Sequence, residues 1–274
     1  MARVSSPRNA RLREVARLIA SSRDRRKSGR CVLEGAHLID VFVARFGPPE
    51  TLVVLEDATA RPDVADLVAR VPPSRTLVVS HDVFDELATL PADVAVVAVV
   101  ATPGLPPPAP ADFCLLLEDV QDPGNVGSII RTAAAAGVSQ VWLSSGCAFA
   151  WAPKVLRAAQ GAHFLTTLVE NVALGDWVLA YRRGGGRTVA TVVGDATPLH
   201  EADLRGRVAV AIGSEGLGLS PATLALVDER ITIPMASGSE SLNAAAAAAV
   251  VLFEGVRQRT RGQRPGTSGQ GALG

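Results

Sequence analysis

The sequence predicts an α/β protein in two parts, a small N-terminal α/β domain and a larger domain built on a parallel sheet flanked by helices. Three observations lead to this prediction. The chain has 274 residues, 48% of them hydrophobic and 20% charged, which is the composition of a globular protein with a sizeable core. Short β-branched runs alternate with helical patterns along the chain. A proline-rich stretch at 102–112 divides the sequence into two unequal parts.

The first part, residues 1–101, has the patterns of a small α/β domain. Between Asn9 and Ser21, apolar residues recur at helical spacing, which predicts an amphipathic helix. Short β-branched runs, separated by helical patterns, predict strands at 51–56, 76–80 and 94–100.

A semi-rigid linker is predicted at 102–112, because five prolines within this stretch exclude a helix or a central strand. The end of the chain, 261–274, is rich in glycine and is predicted to be disordered. The second domain is therefore expected at 113–260.

Strands and helices alternate more regularly in the second part. Strands are predicted at 113–118, 138–144, 165–169, 187–193, 207–213 and 230–235, and helices at 125–137, 153–162, around Trp177, after Pro221 and along the alanine-rich stretch after Asn243. The strands are apolar throughout rather than alternately apolar and polar. This pattern is typical of strands buried on both faces, as in a parallel sheet covered by helices.

Positive charge is concentrated at the start of the chain. The formal net charge is zero, but residues 1–30 contain ten Lys or Arg against two acids, Glu14 and Asp24. Such a segment indicates nucleic-acid binding through phosphates, and the alternative is a solvated arm or a helix that its arginines keep soluble. The candidate RNA contacts are Arg11, Arg23, Arg25, Arg26 and Lys27.

Several classes of function and location are disfavoured. The three cysteines have no CxxC spacing, so neither a disulfide framework nor a zinc site is indicated, and a reducing cytosol fits best. The four histidines lack metal-ligand spacing, and no G-x-S-x-G motif suggests a hydrolase. The N-terminus has no apolar core of a secretory signal, and the longest apolar runs are too short to span a membrane.

Three loops after buried strands are candidate ligand-binding segments, because ligands of open α/β sheets bind at the carboxyl ends of the strands. In the first loop, Asn125 is expected to cap the following helix through its side chain. Arg131 lies nearly two turns further along an otherwise small and apolar helix. Taken alone, such an arginine is more often a surface residue in an ion pair.

The second and third loops carry the remaining polar residues. In AIGSEGLGLS, three glycines surround Glu215, so that backbone N–H groups could approach a ligand closely, although a tight strand-to-helix turn is the simpler alternative. The spacing matches neither a Walker A loop nor the dinucleotide fingerprint. In the third loop, Ser241 and Asn243 stand at the mouth of an alanine-rich helix.

Taken together, these segments resemble a known family. NVGSIIRTAAAAG, AIGSEGLGLS and IPMASGSESLNAAAAAAVVLFE, in this order, are similar to the three signature motifs of the SpoU (TrmH-like) RNA ribose 2′-O-methyltransferases of the SPOUT superfamily. WAPKVLRAAQGAHF is also similar to that family. The upstream segment NARLREVARLIASSRDRRKSGRCVLEGAHLI resembles the substrate-binding domain of its rRNA-directed members.

The resemblance implies a trefoil-knotted methyltransferase domain preceded by a small L30e-like RNA-binding domain, in a cytoplasmic homodimer that binds S-adenosylmethionine (AdoMet). The implied catalytic residues are Asn125, Arg131, Glu215, Ser241 and Asn243. The implied cofactor-binding residues are Thr191, Gly194, Gly213, Ser214, Gly216, Ile233, Met235 and Leu242. No metal is implied.

The resemblance also leaves choices open. Large-subunit 23S rRNA is the expected substrate, with tRNA as an alternative. Arg131 is expected to hold the target phosphate or stabilise the developing alkoxide, since a guanidinium is hard to deprotonate. The family has asparagine where this chain has Ser214, and this departure is the one feature that favours a non-catalytic RNA-binding or assembly protein.

Overall fold

The computed structural model describes residues 2–4, 6, 8–87, 94–104, 111–236 and 241–261. Much of the predicted linker lies outside the described residues, and so does the predicted tail beyond Arg261.

The N-terminal part forms a five-stranded mixed sheet. Its strands are β1 (Ala2–Val4), β2 (Arg30–Glu34), β3 (Thr51–Leu55), β4 (Thr76–Val79) and β5 (Val96–Ala101), in the order β1-β4-β3-β5-β2. The β5 strand runs antiparallel to both β2 and β3, and the other pairs are parallel. The sequence patterns do not predict β2, because charged residues at both ends leave only a short apolar centre.

Along the described residues, the α-helices that accompany this sheet are α1 (Ala10–Ala20), α2 (Ser22–Ser28), α3 (Ala36–Phe46), α4 (Pro62–Ala69) and α5 (His81–Asp85). Most of the predicted stripe of α1 is buried: Leu12, Val15 and Leu18 are almost fully enclosed. The basic helix α2 ends at Gly29, which has the left-handed conformation common after a helix (φ 63°).

The second part forms a seven-stranded sheet in which every pairing is parallel. Its strands are β6 (Phe113–Leu117), β7 (Gln140–Leu143), β8 (Thr167–Val169), β9 (Arg187–Thr191), β10 (Thr197–Pro198), β11 (Val208–Ile212) and β12 (Glu229–Thr232), in the order β10-β12-β9-β11-β6-β7-β8. The central strands β6 and β11 are buried along their whole length, which confirms the predicted parallel α/β architecture.

The helices of this part are α6 (Pro123–Ala135), α7 (Pro153–Ala159), α8 (Leu174–Arg183), α9 (Pro221–Leu224) and α10 (Ala244–Arg261). Helices α6 and α7 pack closely because Gly127 has no side chain: a Cβ there would lie 2.5 Å from the Cβ of Ala158. Helix α10 lies against α6 as well. The parallel arrangement brings the loops after β6, β9, β11 and β12 to one edge of the sheet.

Candidate functional site

A cavity of about 440 Å³ opens at this edge of the second sheet. Its size suits a small organic ligand or cofactor. The residues that line it come from the loops after β9, β11 and β12 and from the start of α10: Thr191, Val192, Val193, Ile212, Gly213, Ser214, Glu215, Gly216, Leu217, Gly218, Leu219, Leu224, Thr232, Ile233, Met235, Ser241, Leu242, Ala244 and Ala247.

The cavity brings together most of the residues that the sequence singled out for cofactor binding. Thr191, Gly213, Ser214, Gly216, Ile233, Met235 and Leu242 all line it. Gly194 does not line it, although it follows in the same loop as Thr191, where it is exposed with a positive φ of 106°. Contact between these residues and a cofactor stays a prediction.

The loop after β11 folds back on itself as a tight hairpin. The N–H of Ser214 donates to the carbonyl of Gly218 (3.1 Å), and the N–H of Gly218 donates to the carbonyl of Ser214 (3.0 Å). Gly213 has to be a glycine here, because a Cβ would lie 2.0 Å from the carbonyl carbon of Gly218. The hairpin therefore presents backbone, rather than side chains, along this wall of the cavity.

The serine at position 214 stabilises this hairpin. Its Oγ accepts from the N–H of Leu217 (3.2 Å) and donates to the carbonyl of Gly218 (3.4 Å). A short side chain with one donor and two acceptors is sufficient for these bonds. The departure from asparagine at Ser214 therefore leaves the turn hydrogen-bonded.

A polar network joins all three motif loops beside the cavity. Asn125 donates through Nδ2 to Oε1 of Glu215 (2.6 Å), and Asn243 donates through Nδ2 to Oδ1 of Asn125 (2.9 Å). The Oδ1 of Asn243 accepts from the backbone N–H groups of Ala245 and Ala246, so this residue also caps α10. Asn125 thus links a carboxylate of the second motif to a helix cap of the third.

The prediction that Asn125 caps its helix is wrong. Helix α6 begins at Pro123, and its cap is Asp122, whose Oδ1 accepts from the N–H of Asn125 (2.8 Å). Proline at the first helical position, preceded by an aspartate, explains this earlier start. As a result, the amide side chain of Asn125 is available for Glu215 and Asn243.

The other two predicted catalytic residues differ in their placement. Ser241 is exposed and lines the cavity just before α10. Arg131 is exposed on α6 and does not line the cavity. The structure therefore groups Asn125, Glu215, Ser241 and Asn243 at the mouth of the cavity, and places Arg131 on the helix that carries Asn125.

Glu118 is a site residue that the motif analysis missed. Its carboxylate follows β6 directly and accepts from the N–H of Ser220 (2.8 Å), the hydroxyl of Ser220 (2.8 Å) and the hydroxyl of Thr223 (2.7 Å). These bonds hold the end of the second-motif loop and the start of α9 against the first-motif strand. An acid at the end of a wholly apolar strand was the available signal in the sequence.

The predicted RNA contacts fall into two groups. Arg23, Arg26 and Lys27 are exposed on α2. Arg25 is buried and donates to the carbonyls of Leu18 and Ile19 at the end of α1, so it stabilises the fold and is not presented to RNA.

Arg11 is partly buried and donates to the carbonyls of Ser74 and Arg75. These bonds orient its guanidinium toward the protein.

Within the described ranges, no group of three or more His, Cys, Asp or Glu side chains is placed to hold a metal ion. Nor does any described helix have the length and apolar character needed to cross a membrane.

The fold and the site together define a class: an α/β protein with a cavity of a small ligand's size at the carboxyl edge of a parallel sheet, next to a polar network built from three loops. Residues 112–253 match the model of the SpoU rRNA Methylase family. The chain belongs to this family, and it is a methyltransferase that uses AdoMet.

Comparisons with individual proteins agree with this assignment. The chain is 31% identical to the 23S rRNA (guanosine(2553)-2′-O)-methyltransferase RlmP of Bacillus subtilis, over 92% of this chain and 98% of that protein. It is 32% identical to the 23S rRNA (uridine(2479)-2′-O)-methyltransferase of Streptomyces viridochromogenes, over 96% and 94% of the two chains. The structure of the SpoU methyltransferase AviRb from S. viridochromogenes in complex with AdoMet matches with a TM-score of 0.81, at 32% identity, over 92% of this chain and 99% of that one.

Proposed function

We propose that this protein transfers the methyl group of AdoMet to a ribose 2′-hydroxyl of 23S rRNA. The observation that carries the proposal is the Asn125–Glu215–Asn243 network at the mouth of a cofactor-sized cavity. The relatives named as 23S rRNA 2′-O-methyltransferases cover nearly the whole chain, which favours rRNA over tRNA as the substrate.

The residues present fit AdoMet. The cavity is of suitable size, and the missing side chain at Gly213 lets the hairpin close on Gly218 and present backbone to the cavity. In this proposal the hairpin after β11 and the residues Thr191, Ile233, Met235 and Leu242 hold the cofactor. When bound, AdoMet supplies an electrophilic methyl group.

The chain's own residues orient the acceptor. Glu215, fixed by Asn125, and Ser241 at the cavity mouth have acceptor and donor atoms for the ribose hydroxyls. Arg131 holds the phosphate next to the target ribose or stabilises the charge that develops on the 2′-oxygen, because a guanidinium offers two parallel donors to an anion. The proton of the hydroxyl leaves to the phosphate or to water.

Arg131→Lys tests the role of this residue. A lysine keeps the positive charge but cannot form the bidentate hydrogen bonds of a guanidinium. We therefore expect turnover to fall while the affinity for AdoMet stays the same. Near-wild-type turnover in this variant would rule out an essential guanidinium.

The finer features of the architecture are also part of the proposal. The second part forms a trefoil knot; the convergence of the loops after β9, β11 and β12 on one cavity, with α10 following the last of them, supports this. The first part is an L30e-like domain that ends at residue 101, joined by the linker 102–112 to a methyltransferase domain at 113–260.

A cytoplasmic homodimer completes the proposal. Helix α10 exposes Val250 and Phe253, with 43% and 49% of their surface accessible, and such apolar side chains favour burial against a second copy. Light scattering at micromolar concentration tests it: a dimer mass is expected, and a monomer mass would overturn it.

A tritium-transfer assay separates this function from its alternatives. Unmodified 23S rRNA, 16S rRNA and bulk tRNA are each incubated with labelled AdoMet and the wild-type protein or Arg131→Ala. We expect label in 23S rRNA only, with its loss in the variant. Label in tRNA would point to the tRNA enzyme, and cofactor binding without transfer to any RNA would point to a non-catalytic binding protein.

A further inference from the structure

A buried ion pair joins the N-terminal sheet to the second part. Glu34, at the end of β2, has only 4% of its side chain exposed, and Arg157 of α7 donates through Nη1 to its Oε2 at 2.5 Å. Burial raises the pKa of Glu34, and the Arg157 guanidinium opposes that shift. Because an unpaired charge at a buried position is costly, this pair favours one docked arrangement of β2 against α7.

A second contact fixes helix α2 at the same junction. The guanidinium of Arg26 lies over the ring of Phe149, 4.3 Å from its centroid, and Phe149 belongs to the loop after β7. The next residue, Ala150, donates its N–H to the carboxylate of Glu170 at the end of β8 (2.8 Å). The basic helix is therefore held at the carboxyl edge of the second sheet, next to the strand that leads to Asn125.

Aromatic packing adds a third contact. The rings of Phe42 and Phe46 on α3 each lie 5.6 Å from that of Phe164, in edge-to-face geometry. The two parts thus meet through an ion pair, a cation–π contact and an aromatic cluster rather than through the linker alone. The exposed cations Arg23 and Lys27 of α2 are held at a set position relative to the Asn125 network.

We infer that Glu34 and Arg157 are positioning residues that set substrate specificity, an inference that rests on the proposed function. Phosphate contacts fix the register of a protein on a nucleic acid. When α2 is docked, its contacts with the phosphates of a folded RNA fix the position of that RNA. One ribose of the RNA then reaches the methyl-transfer site. A short single strand with the same target nucleotide reaches only the site itself and gains nothing from the docking.

The experiment compares two RNAs, a folded 23S rRNA fragment that contains the mapped target nucleotide and a short oligonucleotide of the same local sequence. The proteins are wild type, Arg157→Gln, Glu34→Gln and Arg157→Lys. Arg70→Gln is the matched control, because Arg70 forms an exposed ion pair with Asp40 in the same N-terminal part. The measured quantity is kcat/KM for the fragment divided by kcat/KM for the oligonucleotide, together with the Kd for AdoMet and the melting temperature.

We expect Arg157→Gln and Glu34→Gln to lower this ratio roughly tenfold or more, mainly by raising KM for the fragment, since misplacement of bound groups by about 1 Å can cost up to 100-fold. The kcat/KM for the oligonucleotide and the Kd for AdoMet should stay at wild-type values. Arg157→Lys, which keeps the charge, should restore part of the ratio, and Arg70→Gln should leave it unchanged.

An unchanged ratio in folded Arg157→Gln would overturn the inference. A parallel loss on both RNAs would also overturn it, because the pair would then act only through general stability. If Arg157→Gln does not fold, the same ratio measured in Phe149→Leu tests the inference. This substitution weakens the same junction without burying an unpaired charge. Failure of the proposed function would look different, since the wild-type protein would then methylate neither RNA at a 2′-oxygen.

Discussion

At the scale of single residues, the side-chain amide of Asn243 has two roles, one for its oxygen and one for its nitrogen. Its Oδ1 caps α10, and its Nδ2 donates to Asn125. This division explains why an asparagine stands at the mouth of an alanine-rich helix, where serine or aspartate would cap equally well. A substitution that changes only one end of the amide separates the two roles.

Asn243→Asp should therefore leave stability nearly unchanged and lower turnover. The carboxylate still accepts from the first N–H groups of α10, but it cannot donate to Asn125, and a flipped Asn125 would turn its oxygen toward Glu215. We expect turnover to fall up to roughly 100-fold, because a misplacement of orienting groups by about 1 Å can cost that much. Asn243→Ala is the comparison, with an added loss of about 1 kcal/mol in the free energy of unfolding. Wild-type turnover in Asn243→Asp would show that the network has no part in methyl transfer.

Glu118→Gln tests whether this carboxylate holds the cofactor loop. Glutamine would turn an N–H₂ group toward a donor of Ser220 or Thr223, so the end of the loop should loosen. We expect the Kd for AdoMet, measured by calorimetry, to rise roughly tenfold while kcat at saturating AdoMet changes little. Glu86→Gln, an exposed substitution in the N-terminal part, is the control. A lower kcat with unchanged affinity would assign Glu118 to the chemistry instead.

The buried side chain of His163 should make the folded protein less stable in mild acid. It is buried beside Trp151, its Nε2 donates to the carbonyl of Ala150 (2.7 Å), and burial lowers its pKa from 6.5 to about 4. The His163 side chain therefore binds a proton near pH 6.5 in the unfolded chain, but only near pH 4 in the folded chain. This difference should remove roughly 3 kcal/mol of stability as the pH falls through that window.

Urea unfolding of wild type and His163→Gln between pH 7 and pH 4 measures this effect. Glutamine can still donate to Ala150 but does not titrate, so the difference between the two proteins should shrink or reverse as the pH falls. Glu34 and Glu170, whose pKa values are raised by burial, act in the opposite direction in both proteins, and their effect cancels in the comparison. Parallel curves would contradict this account of His163.

At the scale of elements, the hairpin after β11 is defined by backbone contact. Gly213 leaves no room for a Cβ, whereas a Cβ at Gly216 would meet nothing within 4 Å. The two glycines are close in sequence and both line the cavity. They form a matched pair for testing whether the closed hairpin is needed for cofactor binding.

Gly213→Ala should abolish measurable AdoMet binding, because the hairpin must open to make room for the alanine side chain. The affinity of Gly216→Ala for AdoMet should stay within a fewfold of the wild-type value. Calorimetric titration of both proteins with AdoMet, alongside circular dichroism to verify folding, measures this. Equal binding by the two variants would show that the hairpin geometry does not shape the cofactor site.

Patterns within a short window predicted most elements of the second sheet, since fully apolar strands such as β6 and β11 are distinctive. The start of α6 was misplaced because Asp122 and Pro123 form a stronger start signal than Asn125. The hydrogen bond between Asn125 and Glu215 could not be derived from spacing, because 90 residues separate the two side chains. Only the joint resemblance of three motifs placed them in one site.

At the scale of the whole molecule, the order of the strands determines which loops form the candidate site. The order β12-β9-β11-β6 places the loops that follow these strands side by side, although they are far apart in the chain. Composition and periodicity contain no information on strand order, so the cavity itself was beyond local sequence patterns. The docking of α2 and β2 against the second part likewise depends on partners distant in sequence, such as Glu34 and Arg157.

In the proposed reaction, the methyl group goes to a ribose oxygen of 23S rRNA. The most direct measurement is to identify the modified atom: 23S rRNA methylated by the purified protein is digested to nucleosides and analysed by mass spectrometry, and the same RNA is mapped by alkaline hydrolysis. We expect one nucleoside with a methylated ribose and one alkali-resistant linkage, both absent with Arg131→Ala. A methyl group on a base, or label found only in tRNA, would contradict it.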